Sequence, residues 1–306
     1  MPRRYAIVQV DVFTERALAG NPLAVVLDAR GLTDEEMQAI AREMNLSETT
    51  FVLPATRADC AARVRIFTPA REVPFAGHPT VGTGWVLAAR GRLAPGTSRF
   101  SLEEGIGPVP VELEGDPSAP RFVWMRHGAA RFEPEIADRP AFARALGLGP
   151  GDLLAGAPIR VGSTGSPFLY VPLADRAAVD RAVLDVPALL AAMGERPRVG
   201  VFVFAPDSAR DASPVRVYSR MFAPHTSGVP EDPATGAASG PLGACLVAQG
   251  LAVGGDPVRI VSEQGTRMRR QSFVHVDVEP DGAGGARSIR VGGAVVPVLD
   301  GQLTLG

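Results

Sequence analysis

The amino-acid sequence predicts an α+β protein built from two similar domains, and three observations carry that prediction. A segment occurs twice, as FTPAREVPFAGHPTVGTGWVL from Phe67 and as MFAPHTSGVPEDPATGAASGPLGACL from Met221. Each copy opens on Phe-x-Pro and reaches a pivotal glycine (Gly77, Gly236), then repeats glycine (Gly84, Gly243) and leucine (Leu87, Leu246) at matching offsets. Strand-like alternation and helix-like periodicity recur in loosely the same order after roughly 150 residues, a spacing too long for a solenoid. Finally, 306 residues exceed one typical domain, and 46% hydrophobic content is enough to fill two cores.

The elements follow in order. Tyr5 to Phe13 alternates as a strand, Gly20-Asn21-Pro22 makes a turn, and Leu23 to Leu27 reads as the buried return strand of a hairpin. Thr33 and Glu36 form a capping box ahead of the helical pattern Met37, Ile40, Ala41, Met44, and the helix stops near Asn45. Thr50 to Leu53 is β-branched and aromatic, so Glu48 falls where loop becomes strand. Val64 to Phe67 is a further strand. Proline favours the first helical position, which starts the next helix at about Pro79 and runs it to Ala89.

The second half reads as strands over Pro158 to Ser163 and Phe168 to Pro172 around Gly165-Ser166-Pro167, a helix over Val186 to Met193, and strands over Val199 to Ala205 and Val215 to Phe222. The helix at Gly236 follows, and Asp281 to Ala286 reads as a surface loop between two terminal strands. Gly115-Asp116-Pro117 and Gly147 to Gly151 carry linker or turn chemistry, so the boundary is expected between about 115 and 155. The expected domains are 1–125 and 126–306, with the last strand free to return to the first domain.

Thirty-one Lys and Arg nearly balance 33 Asp and Glu, which leaves no strong field to gather nucleic acid or an acidic membrane surface. The N-terminus moves at once into strand residues, and no apolar run reaches the length of about 18 needed to cross a bilayer. A cytoplasmic protein is the expectation. Cys60 and Cys245 are isolated, too few for a disulfide framework or a cysteine-rich zinc site, and read as buried or half-buried thiols. Four scattered histidines lack His-x-x-x-His spacing, which disfavours a metal hydrolase. Gly82-Thr83-Gly84 and Gly147-Leu148-Gly149 continue into neither GxGxxG nor a Walker lysine, so no cofactor is expected.

The chemistry gathers at the two glycines. Helix N-termini present free N–H groups and partial positive charge, so Gly77 and Gly236 are candidate binders of a small carboxylate. Glu72 and His78 stand around the first; Glu231 and Asp232 precede the second. His78 can exchange protons near neutrality, and a helix N-terminus favours its neutral form. His127, His225 and His275 have no comparable setting, and Asp232 taken alone reads equally well as a helix cap. Arg267, Arg269 and Arg270 read as a solvated charge run, with steering of an acidic substrate as the alternative.

Taken in order, Asp11-Val12-Phe13, Gly20-Asn21-Pro22, Asn45-Leu-Ser-Glu48-Thr-x-Phe51, Phe67-Thr-Pro69, Phe75-Ala-Gly-His78-Pro-Thr, Glu231-Asp-Pro-Ala-Thr-Gly236 and Glu263-Gln-Gly265 resemble the phenazine biosynthesis-like (PhzF) proteins of the diaminopimelate epimerase-like fold. The resemblance covers nearly the whole chain. It implies that each domain wraps a mixed or antiparallel sheet around a central helix, with the active site in the cleft between domains. It also implies cofactor-independent isomerisation of a small unsaturated carboxylic acid, usually in a homodimer. By resemblance, Glu48 is the acid/base that moves a proton between carbons, His78 and Asp232 assist it, and Gly77, Gly236 and Ala237 bind substrate.

Departures bear on the chemistry. Racemases of the same fold use one cysteine before each pivotal glycine, whereas this chain has Ala76 and Thr235, so two-thiol racemisation is not expected. Ala237 stands where the family often has serine, so a hydroxyl contact is lost, and Arg270-Gln271-Ser272 replaces Arg-Pro-Ser. Two further readings stand beside the isomerase: a lyase or tautomerase using the same base, and a noncatalytic protein that keeps only the small-anion pocket.

Overall fold

The computed structural model describes residues 2–223 and 230–306. The chain divides into two compact units, Met1–His127 with Arg290–Gly306, and Gly128–Ile289. Among the described residues, no helix is long and apolar enough to cross a membrane.

The first unit contains β1 (Arg3–Val12), β2 (Asn21–Val26), α1 (Asp34–Met44), β3 (Glu48–Leu53), β4 (Ala62–Phe67), β5 (Glu72–Val73), α2 (Gly77–Ala89), β6 (Arg99–Glu104), β7 (Gly107–Asp116) and β8 (Ala119–His127). Its ladder is mixed: β1–β2 antiparallel, β2–β3 parallel, β3–β4 antiparallel, β4–β6 parallel and β6–β7 antiparallel. The reciprocal capping box of Thr33 and Glu36 starts α1, and Asn45 stops it in the left-handed conformation. That tight stop lets Glu48 begin β3 opposite Leu23 of β2.

The second unit contains β9 (Arg131–Phe132), α3 (Arg139–Ala145), β10 (Arg160–Ser163), β11 (Pro167–Pro172), α4 (Arg176–Arg181), α5 (Val186–Met193), β12 (Gly200–Pro206), β13 (Val215–Phe222), β14 (Glu231–Asp232), α6 (Gly236–Ala248), β15 (Val258–Gln264) and β16 (Ser272–Pro280). It repeats the first unit's alternation from β10 to β16, antiparallel, parallel, antiparallel, parallel, antiparallel. β17 (Ala286–Gly293) leads to β18 (Val295–Leu305), which pairs antiparallel with β1.

α2 and α6 are the central helices of their units, and their composition explains why. Both are apolar on every side, so neither has a face suited to water. α2 lies on strands β1, β2, β3, β7 and β8, and α6 on β10, β11, β15 and β16. The repeated glycines are points of close approach: a Cβ on Gly84 would sit 3.1 Å from Val111 Cγ1 of β7, and one on Gly243 2.7 Å from Val276 Cγ1 of β16. The duplicated spacing therefore marks where each helix presses on the corresponding strand.

Several details differ from the sequence expectation. α2 begins at Gly77, two residues before Pro79, because a proline at the third helical position still lacks only an N–H that has no intrahelical acceptor. Gly115-Asp116-Pro117 turns the β7–β8 hairpin, and Gly147–Gly151 lies within the second unit after α3.

Candidate active site

Within the first unit, three elements converge on His78. The turn between β1 and β2 is held by Asp11, buried, whose Oδ2 accepts the Leu18 N–H at 2.6 Å. This turn delivers Asn21, fully buried, with Nδ2 3.1 Å from His78 Nδ1. Glu48, at the start of β3, places Oε2 3.4 Å from the same Nδ1, its side chain 16% exposed against 3% for His78. Across the sheet, Thr50 and Thr83 share a hydroxyl hydrogen bond of 2.9 Å that ties β3 to α2.

Burial drives the His78 pKa down to about 3, with a backbone hydrogen bond to Pro22 opposing the shift, so the ring is neutral at physiological pH. Pro22 offers only a carbonyl oxygen, so the neutral ring donates to it, and Nε2 has no hydrogen-bond partner among the described residues. The ring proton is therefore assigned to Nδ1, the nitrogen beside Asn21 and Glu48.

Within the second unit, β14 pairs Asp232 with Met221 of β13, and Pro233-Ala234 carries the chain into α6. Asp232 is 8% exposed. Thr235 Oγ1 donates to Asp232 Oδ2 at 2.6 Å. Gln264, at the end of β15 and fully buried, holds this loop: its Oε1 accepts the Thr235 N–H at 3.1 Å, and its Nε2 donates to the Asp232 carbonyl at 2.8 Å and to Thr235 Oγ1 at 3.1 Å.

The starts of α2 and α6 share one property. Neither N-cap side chain bonds back to its helix: Ala76 has no polar group, and the Thr235 hydroxyl is committed to Asp232. The first N–H groups of both helices, at Gly77 and at Gly236 and Ala237, are therefore left without a side-chain cap. Ala237 is buried and adds no hydroxyl; Ser239, two residues on, donates to the Thr235 carbonyl.

Some expected participants are engaged elsewhere. Glu72 pairs with Arg65, and Glu231 with Arg220, in the same place of each repeat. Both arginines also lie over a phenylalanine, Phe67 and Phe222. The signal was present in the sequence as a repeated Arg-x-Phe-x-Pro, Arg65 to Pro69 and Arg220 to Pro224. His127 packs edge-on against Phe75, two residues before Gly77, a setting that spacing alone did not suggest. His225 lies outside the described residues, and His275 is on β16. Arg267 and Arg269 are exposed, Arg270 half-buried. Cys245 is buried inside α6, which pushes its thiol up to about 11, and Cys60 is half-buried. Among the described residues, no group of three His, Cys, Asp or Glu side chains is arranged to hold a metal ion.

Comparison with known proteins gives a consistent picture. Residues 10–301 match the family described as phenazine biosynthesis-like protein, PhzC-PhzF. An uncharacterized isomerase of Mesorhizobium japonicum is 39% identical, with 96% of each chain covered. The crystal structure of a Bacillus anthracis phenazine biosynthesis protein of the PhzF family superposes with a TM-score of 0.85 at 30% identity, covering 98% of this chain and 99% of that one. The fold extends to a hydroxyproline epimerase of Agrobacterium vitis, with a TM-score of 0.66 at 13% identity over 99% of this chain and 93% of that one.

Proposed function

The chain belongs to the phenazine biosynthesis-like (PhzC-PhzF) protein family, and from that premise we propose that it is a cofactor-independent isomerase moving a proton between carbons of a small unsaturated carboxylic acid. The observation that carries this reading is the juxtaposition of a partly exposed carboxylate, Glu48, with a buried neutral imidazole, His78, on a helix whose first N–H groups are uncapped.

In the proposed reaction, Glu48 removes a proton from carbon: the C–H bond breaks, an O–H bond forms, and the electron pair spreads through the conjugated acid toward its carboxylate. The N–H of Gly77 stabilises the developing negative charge, as preorganised donors do at an oxyanion. A proton then returns to a different carbon, from Glu48 or from His78 Nδ1, which lies 3.4 Å from Glu48 Oε2. Asp232, Gly236 and Ala237 are assigned to the same reaction, Asp232 as an assisting acid/base and the two N–H groups as carboxylate binders. A carbon acid that loses and regains a proton within one molecule needs no redox partner, which suits a set of residues offering only acid–base chemistry.

The test is proton NMR in D₂O with a panel of small unsaturated acids, comparing wild type with Glu48→Gln. Deuterium should enter a carbon position with wild type and at least about a hundredfold more slowly with the variant, the range expected for losing a positioned base. Undiminished exchange by a folded Glu48→Gln protein would remove Glu48 from the chemistry. Product analysis in the same tubes separates an isomer from a lyase product.

A further inference from the structure

β6 ends on Glu104, a carboxyl group outside the proposed machinery that is only 6% exposed and packs against the first turn of α2. Thr80 Oγ1 lies 2.7 Å from Glu104 Oε1 and 2.8 Å from the carbonyl oxygen of Ala76, the N-cap of α2. Proton counting decides what Glu104 is. A hydroxyl has one hydrogen; a backbone carbonyl and an ionised carboxylate only accept. Thr80 can donate to one of its two neighbours, so the other close contact needs a second hydrogen, and only Glu104 can bring it. The remaining oxygen, Oε2, is buried with no hydrogen-bond partner among the described residues, a position a neutral C=O tolerates far better than a charged oxygen.

The surroundings leave the side chain little freedom. A Cβ on the next residue, Gly105, would meet Pro74 Cα at 2.7 Å, so the end of β6 abuts the segment leading into Ala76 and Gly77. The cations on neighbouring elements act on other carboxylates: Arg63 of β4 on Glu103, Arg65 of β4 on Glu72, and Arg126 of β8 on Glu112. His78 on α2 and His127 on β8 are held neutral by burial. Glu103 also bonds Thr56, and Glu114 bonds Trp124.

We propose that Glu104 is a positioning residue for this site: as a neutral carboxylic acid it donates to Thr80, Thr80 donates to Ala76, and the relay fixes the turn that presents the Gly77 N–H and His78. This rests on the anion-binding role given to Gly77 above. Burial raises the Glu104 pKa to about 8, with the Thr80 bond opposing. Above that pH the proton leaves, the Thr80 hydroxyl must turn from Ala76 to the carboxylate, and a buried negative charge appears beside the turn where the anion docks. The turn then loses a tether and the pocket loses attraction for an anion together.

The experiment follows the Gly77 amide resonance and the binding of crotonate, a small unsaturated carboxylate, across pH about 6 to 10 in wild type and Glu104→Gln, whose amide still donates to Thr80 but does not ionise. In wild type the Gly77 resonance should titrate with a midpoint near 8, and crotonate affinity should fall about tenfold per pH unit above it. Both should stay level in Glu104→Gln. A structural role without ionisation would give the two proteins the same pH profile, and that result, or a wild-type Gly77 resonance that does not titrate, overturns the proposal. A Gly77 titration near 8 without crotonate binding at any pH would support the relay and tell against the anion pocket of the proposed function.

Discussion

Replacing Gln264 by leucine tests the support of Asp232 most directly. The side chains are similar in volume, so the change removes polar atoms while leaving packing nearly intact. Gln264 is fully buried and makes three hydrogen bonds, from the Thr235 N–H, to the Asp232 carbonyl and to Thr235 Oγ1. Leucine would strand the Thr235 N–H and remove the other two bonds. A stranded buried group costs about 2 kcal/mol, each of the two lost hydrogen bonds costs about 1 kcal/mol, and a leucine side chain returns about 1 kcal/mol by its greater apolar surface, so a net loss of about 3 kcal/mol is expected. Urea unfolding should register this as a lower midpoint with an unchanged slope. Activity should fall with it, because the loop carrying Asp232 loses its anchor. A loss below about 1 kcal/mol would refute the reasoning and mean that Thr235 and Asp232 hold their places without Gln264.

Two further outcomes follow from the same physics. Gly265 has φ +75°, and a Cβ there would stand 2.4 Å from the Arg270 carbonyl oxygen and 2.6 Å from that of Pro233; Gly265→Ala should therefore destabilise by at least about 2 kcal/mol in urea unfolding, and a neutral effect would mean that the loop ahead of α6 shifts freely. The second concerns Glu104, whose folded pKa of about 8 lies above its unfolded value. The folded protein then holds a proton that the unfolded chain releases, so stability is full below the unfolded pKa of about 4.3, declines as pH rises, and levels off above about 8. Glu104→Gln should accordingly gain about 3–4 kcal/mol on wild type between pH about 4 and pH about 7; parallel stability–pH curves for the two proteins would exclude a neutral Glu104.

Local signals were readable in the sequence wherever one short segment determines the structure. Thr33 and Glu36 act within one helical turn, Asn45 stops α1 by its own backbone conformation, and Glu48 falls at the head of β3 as the residue pattern indicated. β7 was missed because Pro108 and Pro110 interrupt a pattern that otherwise alternates; both lie ahead of Val111, where the pairing with β8 begins, so neither removes an N–H from that ladder. The Asn21–His78 and Gln264–Thr235 contacts were hidden for a different reason. Asn21 reads as turn chemistry and Gln264 as one letter of a motif, and their partners lie 57 and 29 residues away. Thr80 and Glu104, 24 residues apart, meet only because β6 packs its last residue under α2.

What recurs between the halves, and what does not, separates scaffold from chemistry. The Arg65–Glu72 and Arg220–Glu231 pairs, the glycines at 84 and 243, and the order of strand pairings are common to both units. Each of these braces a sheet or admits a strand against a helix, a need that each unit has on its own. The polar groups at the helix starts differ. One unit sets Asn21 and Glu48 on a buried neutral imidazole, whereas the other sets a threonine hydroxyl on the Asp232 carboxylate, with Gln264 holding that hydroxyl and the Asp232 carbonyl. If both sites only capped a helix, the same side chains would serve in both, since the helices make the same demand. Their divergence on a retained frame marks the helix starts as the places where the two units were given different chemistry: an imidazole beside Glu48 in one, and a hydrogen-bonded carboxylate in the other.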